Sequence, residues 1–400
     1  MNRAGLSRRC FVGAFAGTAA GVSLPACDGG SPPSDAATPP APATVTGPPA
    51  PSATPSGPRP LYLGTYTSVD GGGEGIGTAV YDPATGRISG EDVIGGVGDP
   101  SFLAVHPDGR TLYAVNERED GAVTAVRLSD RKVLGTSATG GSSPCHLSVH
   151  PGGRFLLSAD YGTGTVAVHR IGTSGAPGRR TDLVTHSEPA PGPGRTGPHA
   201  HQIITAPDGG HVLAVDLGTD TVYTYRLDEE AGTLTEVSRA TARAGAGPRH
   251  LTFHPGGRWA YLANELDDTV TVCAYEPESG RLTIGDPQPT GSDPEAGTNY
   301  PAQLVVTGDG RYAYLANRGH DSVARYAVEE DGARLRLLGT VPVGGSFPRH
   351  IALSPDGRLL FTANQRSGDV GVFRVDADSG ELRPAGEPFA SPVAVCALPL

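Results

Sequence analysis

The segment PRHLTFHPGGRWAYLANE, at residues 248–265, decides the fold class of this chain. Apolar residues alternate with other residues before its Pro-Gly-Gly sequence, and a second apolar run follows. Alternation of this kind predicts a half-buried β-strand, and proline in the second position of a turn with glycine in the fourth predicts a type I turn. The segment therefore predicts two antiparallel strands joined by a tight turn.

The same pattern occurs six times, in copies that begin at residues 100, 144, 200, 248, 301 and 348. The starts lie about 45–55 residues apart, and each copy is followed by a further alternating run, such as TVAV at 165–168. Each unit thus contains three strands and a variable fourth. Four-stranded units of this length are typical of propeller blades, and we predict an all-β, seven-bladed β-propeller.

The seventh blade is divided between the two ends of the chain. LYLGTYT at 61–67 reads as a second strand without a first, and PVAVCALP at 392–399 reads as a first strand without a second. The proline at 392 takes the place of the repeat's first proline, so that Val393 and Ala394 would begin the strand. We expect the C-terminal strand to pair with the N-terminal strands and close the ring without an open edge.

Composition excludes several classes of protein. Glycine and proline supply 58 and 37 of the 400 residues, which argues against a mainly helical fold. The net charge of −11 argues against a nucleic-acid partner, whose phosphates require a basic surface. The domain has three cysteines and no CxxC motif, so we expect buried, unpaired thiols at Cys145, Cys273 and Cys396.

The first 60 residues are predicted to be a signal and a tether. SRRCF at 7–11 and an apolar stretch to residue 26 are typical of a twin-arginine export signal, and LPAC at 24–27 is similar to a lipobox ending at Cys27. Residues 1–27 are therefore interpreted as a lipoprotein-type signal, the alternatives being a plain cleaved signal or a cytoplasmic tail. Residues 28–60 contain 11 prolines and predict an extended tether, and 61–400 form the propeller. We expect an exported monomer that contacts a membrane only through a lipid on Cys27.

Comparison of the repeats separates shared positions from variable ones. The next-to-last residue of every copy is Asn or Asp, such as Asn264. We interpret it as a side chain that holds the adjacent loop. The next residue varies, and it shares one end of the blade with the start of the first strand, which lines the channel in propellers. Polar residues at these two positions predict a common rim: Glu117, His146, His201, Gln202, Arg249, His250, Glu265, Gln303, Arg318, Arg349 and His350. The structural alternative is that some histidines only bridge neighbouring blades.

The rim residues suit acid–base chemistry on a small anion. Glu265 and Glu117 can transfer protons, histidines exchange protons near neutral pH, and arginines bind carboxylate or phosphate with two donors. The sequence has no GxSxG, HExxH or P-loop motif, and the GxGxxG match at 192–197 neither follows a strand nor opens a helix. No compact ligand spacing predicts a metal site, and no cofactor is expected.

Six short motifs carry a resemblance to a known family: GTYT at 64–67, HAHQ at 199–202, DLGTD at 216–220, GPRH at 247–250, NE at 264–265 and NRGHDS at 317–322. With these motifs, residues 61–398 resemble the lactonase-family seven-bladed propellers, which include propeller-type 6-phosphogluconolactonase and the fungal carboxy-cis,cis-muconate lactonising enzyme. The resemblance implies a hydrolase that opens a small anionic sugar lactone at the channel mouth. Export sets this chain apart, because the family's best-known reaction belongs to cytosolic sugar-phosphate metabolism.

The resemblance also implies site residues. The histidine, two arginines and glutamate implicated in the family match His201 (or His199), Arg249, Arg318 and Glu265. Further candidates for substrate contact are His199, Gln202, His146, His250, His350, Arg349, Glu117, Asn264 and His320. Two other functions stay open: an exported ligand-binding propeller without catalysis, and a protein scaffold similar to the YVTN-type repeat propellers.

Overall fold

The computed structural model describes residues 57–187, 197–293, 295 and 297–400. The predicted signal, the predicted lipidation site at Cys27 and the predicted tether up to residue 56 lie outside the described residues. The propeller belongs to a compact unit spanning Thr54–Leu400. Its first strand begins at Arg59, two residues before the predicted start of the domain. Within the described part of the chain, no helix has the length and hydropathy needed to cross a bilayer.

The structure is all-β, as predicted, and consists of seven antiparallel sheets. The chain starts in the seventh blade with β1 (Arg59–Thr65), β2 (Gly75–Tyr81) and β3 (Ile88–Gly95). Blade 1 contains β4 (Leu103–Val105), β5 (Thr111–Asn116), β6 (Ala122–Arg127) and β7 (Lys132–Ala138). Blade 2 contains β8 (Pro144–Val149), β9 (Phe155–Asp160), β10 (Thr165–Ile171) and β11 (Pro177–Thr185). Blade 3 contains β12 (Ala200–Thr205), β13 (Val212–Asp216), β14 (Thr221–Asp228) and β15 (Thr233–Thr241).

The remaining blades follow in the same order. Blade 4 contains β16 (Pro248–Phe253), β17 (Trp259–Asn264), β18 (Thr269–Glu276) and β19 (Arg281–Pro289). Blade 5 contains β20 (Tyr300–Val306), β21 (Tyr312–Arg318), β22 (Ser322–Glu329) and β23 (Arg334–Pro342), with a 3-10 turn at Glu330–Gly332. Blade 6 contains β24 (Pro348–Leu353), β25 (Leu359–Asn364), β26 (Asp369–Val375), β27 (Leu382–Pro384) and β28 (Phe389–Ala390). The last strand, β29 (Ala394–Pro399), returns to the seventh blade.

The first strands of the blades form the inner ring. In the order β4, β8, β12, β16, β20, β24 and β29, each contacts the next, and β29 contacts β4. β29 also pairs antiparallel with β1, so the C-terminal strand supplies the inner strand of the blade that the N-terminus begins. The predicted closure is therefore confirmed, and the ring has no free inner edge.

The register of β29 differs from the prediction. In blade 4, Ala263 of the second strand faces His250 of the inner strand. In blade 7, Gly64 occupies the place of Ala263 and faces Cys396. Cys396, not Ala394, is thus the counterpart of His250, and the predicted placement is wrong by two residues. The apolar contacts of β29 with blades 6 and 1 set its register, and the prolines at its two ends do not constrain it.

Neighbouring blades are held together by apolar clusters and by satisfied tyrosine hydroxyls. The side chains of Tyr113 and Tyr261 are fully buried at equivalent positions of their second strands. The Tyr113 hydroxyl donates to the carbonyl of Gly175 at 2.8 Å, and the Tyr261 hydroxyl donates to that of Gly332 at 3.0 Å. Each ring thus packs between blades while its polar end finds a partner in the next blade's outer turn.

The three cysteines are buried and unpaired, as predicted: Cys145, Cys273 and Cys396. Burial raises the pKa of the Cys273 and Cys396 thiols to about 12. The thiols therefore remain protonated at neutral pH and pack as small apolar groups.

Candidate functional site

The Asn side chains at the ends of the second strands in blades 1 and 4 bond to nearby groups. The Asn116 side chain donates to the carbonyl of Gly98 at 2.9 Å, and the Asn264 side chain donates to the Thr271 hydroxyl at 3.0 Å. Successive residues of a strand point to opposite sides, so the turn of Asn264 into the blade leaves the next residue for the rim. The structure does not bring Asn264 into the mouth, although it was a candidate for substrate contact.

Glu265 lies between two arginines of different blades. Its Oε2 accepts a hydrogen bond from Arg318 Nη2 at 2.6 Å and lies 3.0 Å from Arg249 Nε. The side chains of Arg249 and Arg318 are 3% and 5% exposed, and that of Glu265 is 18% exposed. The sequence predicted these three residues on one rim, and the structure brings them into direct contact.

The two arginines differ in how they are held. The Nε of Arg318 donates to the carbonyl of Tyr300 at 3.1 Å, and its guanidinium lies 5.4 Å from the centre of the Phe347 ring. Arg249 makes an ion pair with Glu265 without hydrogen-bond geometry, and its Nε and Nη1 are buried donors without a hydrogen-bond partner among the described residues. Buried donors normally find acceptors. Arg249 therefore has donors available for an anionic group.

The charges of this group act strongly on one another. Burial, together with the nearby charges of Arg318 and Arg349, lowers the pKa of Arg249 to about 9. Burial favours the neutral form of Glu265, but the charges of Arg318 and Arg249 outweigh it, and the pKa of Glu265 is lowered. Glu265 is therefore a carboxylate at neutral pH. An anion placed beside Arg249 would relieve the repulsion among the three guanidinium groups.

A second charged group lies on the same rim. The Tyr66 hydroxyl donates to Glu117 Oε2 at 3.0 Å, and Arg349 Nη2 lies 3.8 Å from the same oxygen. The Arg349 guanidinium is 5.9 Å from the centre of the Tyr66 ring. The charge of Arg349 also contributes, after those of Arg318 and Arg249, to the lowered pKa of Glu265.

Histidines from four blades meet around the channel with one aromatic ring. The ring centre of His250 lies 5.1 Å from that of His201 and 5.4 Å from that of His146. The Phe102 ring lies 4.1 Å from His146 and 5.5 Å from His350. Burial lowers the pKa of His146 and His350 to about 3 and that of His201 and His250 well below the ordinary value. These imidazoles are therefore neutral at physiological pH.

Several of the predicted contact residues bridge blades. Side chains at one inner-strand position accept a hydrogen bond from the backbone N–H of the next inner strand. The pairs are His146 with Ile203 (3.4 Å), Gln202 with Leu251 (2.6 Å) and His350 with Ala397 (3.4 Å). The His250 Nδ1 is hydrogen-bonded to Gln303 of the next blade. The structural alternative foreseen for the histidines, that some of them bridge neighbouring blades, thus describes these bonds.

The two remaining histidine candidates lie at the margin. His199 stacks on Tyr161 at 4.5 Å, and the same tyrosine lies edge-on to His201 at 5.8 Å, which places His199 beside the cluster. His320 lies in the turn between β21 and β22, where its Nδ1 is hydrogen-bonded to Ser322 at 2.7 Å. The contacts described for His320 stay within its own blade, and the structure does not join it to the charged groups. Among the described residues, no three His, Cys, Asp or Glu side chains are arranged as a metal site.

The fold and the rim motifs match one family of proteins. The family model described as "Lactonase, 7-bladed beta-propeller" matches residues 60–399. The chain belongs to the lactonase family. Among lactonase-family relatives, the 6-phosphogluconolactonase of Bacillus subtilis (strain 168) is 32% identical over 289 residues, which cover 71% of this chain and 82% of that protein. These similarities support a lactone hydrolase.

Solved structures of two bacterial proteins agree with this fold over nearly their whole length. The periplasmic gluconolactonase of Pseudomonas aeruginosa has a TM-score of 0.79 and 30% identity, with 86% of this chain and 99% of that chain covered. A protein from Lactobacillus plantarum has a TM-score of 0.80 and 30% identity, with the same two shares covered.

Sequence reasoning for this lactonase-family propeller did not place Tyr66 on the rim, and it placed Phe102 and Tyr161 there without selecting them as site residues. Tyr66 takes the place in blade 7 that Glu265 takes in blade 4, but the two-residue error in β29 concealed this equivalence. A search for the residue after the GT of the GTYT motif would have found it. Phe102 aligns with His146 and was passed over because it is apolar.

Proposed function

We propose that this chain hydrolyses a sugar lactone at the channel mouth, with Arg249, Glu265 and Arg318 as the reacting group. The observation that carries the proposal is a single carboxylate held between two buried guanidinium groups in a lactonase-family fold. This arrangement offers a base for water and donors for a carbonyl oxygen at one place. Lactone opening requires both.

The chemistry can be divided among these side chains. Water adds to the lactone carbonyl carbon, the carbonyl oxygen becomes an oxyanion, and the bond to the ring oxygen then breaks. The ring oxygen takes one proton of the water, and the other leaves to solvent from the new carboxylic acid. The unpartnered donors of Arg249 suit the oxyanion, and a donor of this kind contributes roughly 3 kcal/mol to the transition state.

Two groups can activate the water. Both described contacts of Glu265 involve Oε2, which leaves Oε1 without a hydrogen bond among the described residues. The pKa of His201 lies well below its ordinary value because of burial and the charge of Arg249, so His201 is a neutral imidazole. Its Nδ1 is buried without a partner in the described part of the chain. Glu265 has the more open position of the two, since its side chain is 18% exposed and His201 is buried.

The proposal also covers the kind of lactone and the place where the protein acts. We propose a lactone of the gluconolactone kind, phosphorylated or not, because the names of relatives include 6-phosphogluconolactonase and periplasmic gluconolactonase. The export signal predicted for residues 1–27 favours action outside the cytoplasm, where the lipidated Cys27 and the tether would hold the propeller at the membrane. We further propose that the propeller acts as a monomer without a cofactor.

The test is a lactone panel with the purified chain: glucono-δ-lactone, its 6-phosphate and γ-butyrolactone, each corrected for spontaneous hydrolysis. We expect turnover of a sugar lactone, and Glu265→Gln should lower kcat by roughly 10²-fold or more because the base is lost. Glu278→Gln, an exposed change in the same blade, is the matched control. Unchanged turnover in Glu265→Gln would remove Glu265 from the mechanism. Binding of gluconate without hydrolysis of any lactone would favour the non-catalytic ligand-binding function, and an inert mouth would favour the scaffold.

A further inference from the structure

The charges buried at the mouth do not balance. Among the described residues, three arginines and two glutamates are gathered there: Arg249, Arg318, Arg349, Glu117 and Glu265. The four histidines of the channel are neutral at physiological pH because burial lowers the pKa of each. The site therefore carries one net positive charge.

We infer that Glu117 makes this site selective for an uncharged polyhydroxy lactone and excludes a lactone that carries a phosphate. The inference rests on the proposed lactone hydrolysis and adds the substrate class. It replaces the expectation of an anionic substrate, which was based on the arginines of the rim, by that of an uncharged one.

Charge distinguishes the two lactones. When water adds to an uncharged lactone, Glu265 takes the proton that balances the oxyanion, so the occupied site keeps its one net positive charge. A phosphorylated lactone brings close to two further negative charges at neutral pH. The occupied site would then hold about one net negative charge, beside the Glu117 carboxylate and among charged side chains that are mostly removed from water. Unpaired charge of this kind is costly to bury.

Glu117 cannot easily move away from a phosphate. Its backbone N–H donates to the carbonyl of Asp99 at 3.0 Å, and its Oε2 accepts the Tyr66 hydroxyl at 3.0 Å. Its side chain is 16% exposed, and that of Arg349 is 17% exposed. Arg349 Nη2 lies 3.8 Å from Glu117 Oε2, which is a charge pair and too long for a hydrogen bond. Glu117 therefore keeps its place when the Arg349 side chain turns toward a ligand.

Tyr66, Glu117 and Arg349 are suited to bind the hydroxyl groups of a substrate. A carboxylate is an acceptor only and presents two oxygens, of which Tyr66 uses one. The second oxygen can accept from a substrate hydroxyl, and the Arg349 guanidinium can donate to the oxygen of a neighbouring one. Tyr66, Glu117 and Arg349 thus form a subsite for the hydroxylated side of the lactone, next to the group around Glu265.

The experiment compares kcat/KM for glucono-δ-lactone and its 6-phosphate in the wild type, Glu117→Gln and Glu119→Gln, at one ionic strength. Glu119→Gln removes the same charge from an exposed position two residues away. We expect the wild type and Glu119→Gln to prefer the unphosphorylated lactone, and Glu117→Gln to shift the ratio toward the 6-phosphate by ~10-fold or more. Tyr66→Phe retains the charge of Glu117 but removes one of its restraints, so it should shift the ratio less than Glu117→Gln does.

Three outcomes overturn the inference: a wild type that prefers the 6-phosphate, an unchanged ratio in Glu117→Gln, or an equal shift in Glu119→Gln. Calorimetric binding of gluconate and 6-phosphogluconate to the same variants separates this inference from the proposed function. If no lactone is hydrolysed while Glu117→Gln still raises the relative affinity for 6-phosphogluconate by ~10-fold, the proposed hydrolysis fails and the selectivity stands. If neither hydrolysis nor selective binding occurs, both fail.

Discussion

Replacement of His146 by glutamine should make the folded protein less sensitive to acid. The chain itself offers this substitution, because Gln202 occupies the same inner-strand position in the next blade. The Gln202 side chain accepts the backbone N–H of Leu251 at 2.6 Å, as His146 accepts that of Ile203 at 3.4 Å. The variant can therefore keep the bond between blades while it removes a titratable group.

The magnitude follows from the pKa of the buried ring. Burial, with smaller contributions from His350 and Arg249, lowers the pKa of His146 from 6.5 to about 3. Between these two values the unfolded chain binds a proton that the folded chain does not, so a fall in pH stabilises the unfolded state. Between pH 7.5 and 5.0 this one histidine should cost the wild type about 2 kcal/mol of unfolding free energy.

The assay is urea denaturation at pH 7.5 and 5.0, followed by the fluorescence of Trp259, the single tryptophan. The loss of unfolding free energy between the two pH values should be about 2 kcal/mol smaller in His146→Gln than in the wild type. The reciprocal change, Gln202→His, should make the loss larger, because it adds a buried imidazole. Equal losses in the wild type and His146→Gln would refute the reasoning.

Three further predictions concern the closure of the ring and the charged site. Removal of residues 394–400 deletes the inner strand of blade 7, so the truncated chain should not fold, and a native-like melting transition would contradict this. In Gly64→Ala the new Cβ would lie 2.5 Å from the carbonyl oxygen of Pro100, so urea midpoints should show a loss of roughly 1–3 kcal/mol, whereas Gly308→Ala, with nothing within 4 Å, should be nearly neutral. Glu265→Gln should melt below the wild type at pH 7, because a carboxylate of lowered pKa stabilises the fold above its unfolded value of 4.5. This difference in melting temperature should shrink as the pH falls below 4.5 and the wild-type carboxylate is protonated. A constant difference in calorimetric scans from pH 7 to 3.5 would contradict a stabilising role of the Glu265 charge.

The repeat made most of the fold predictable. Alternating residues around a Pro-Gly turn specify two strands and their polarity, and six copies leave few architectures other than a propeller. Closure by the C-terminal strand was predictable because one blade lacked a first strand and the other end of the chain supplied one. The register of β29 was not, because two prolines seven residues apart in sequence suggested a match that packing against blades 6 and 1 does not allow.

The site was predictable to the level of the rim. Position in the repeat was enough to group Glu265, Arg249 and Arg318, since every blade turns the same positions toward the mouth. The same reasoning could not distinguish Asn264, which bonds within its blade, from the neighbouring Glu265. It also could not predict that Tyr66 holds Glu117, because that contact joins a residue of blade 7 to a residue of blade 1.

The amino-acid sequence by itself determined the number of blades, the closure of the ring and the set of polar residues at one rim, because these depend on local periodicity and on position within a repeat. Only the tertiary structure decided which of those residues meet. The Glu265 carboxylate between two guanidinium groups, the neutral histidines around Phe102 and the Tyr66–Glu117–Arg349 group each combine side chains from different blades. Their protonation and pairing depend on burial and on distances across the channel, which no single repeat contains.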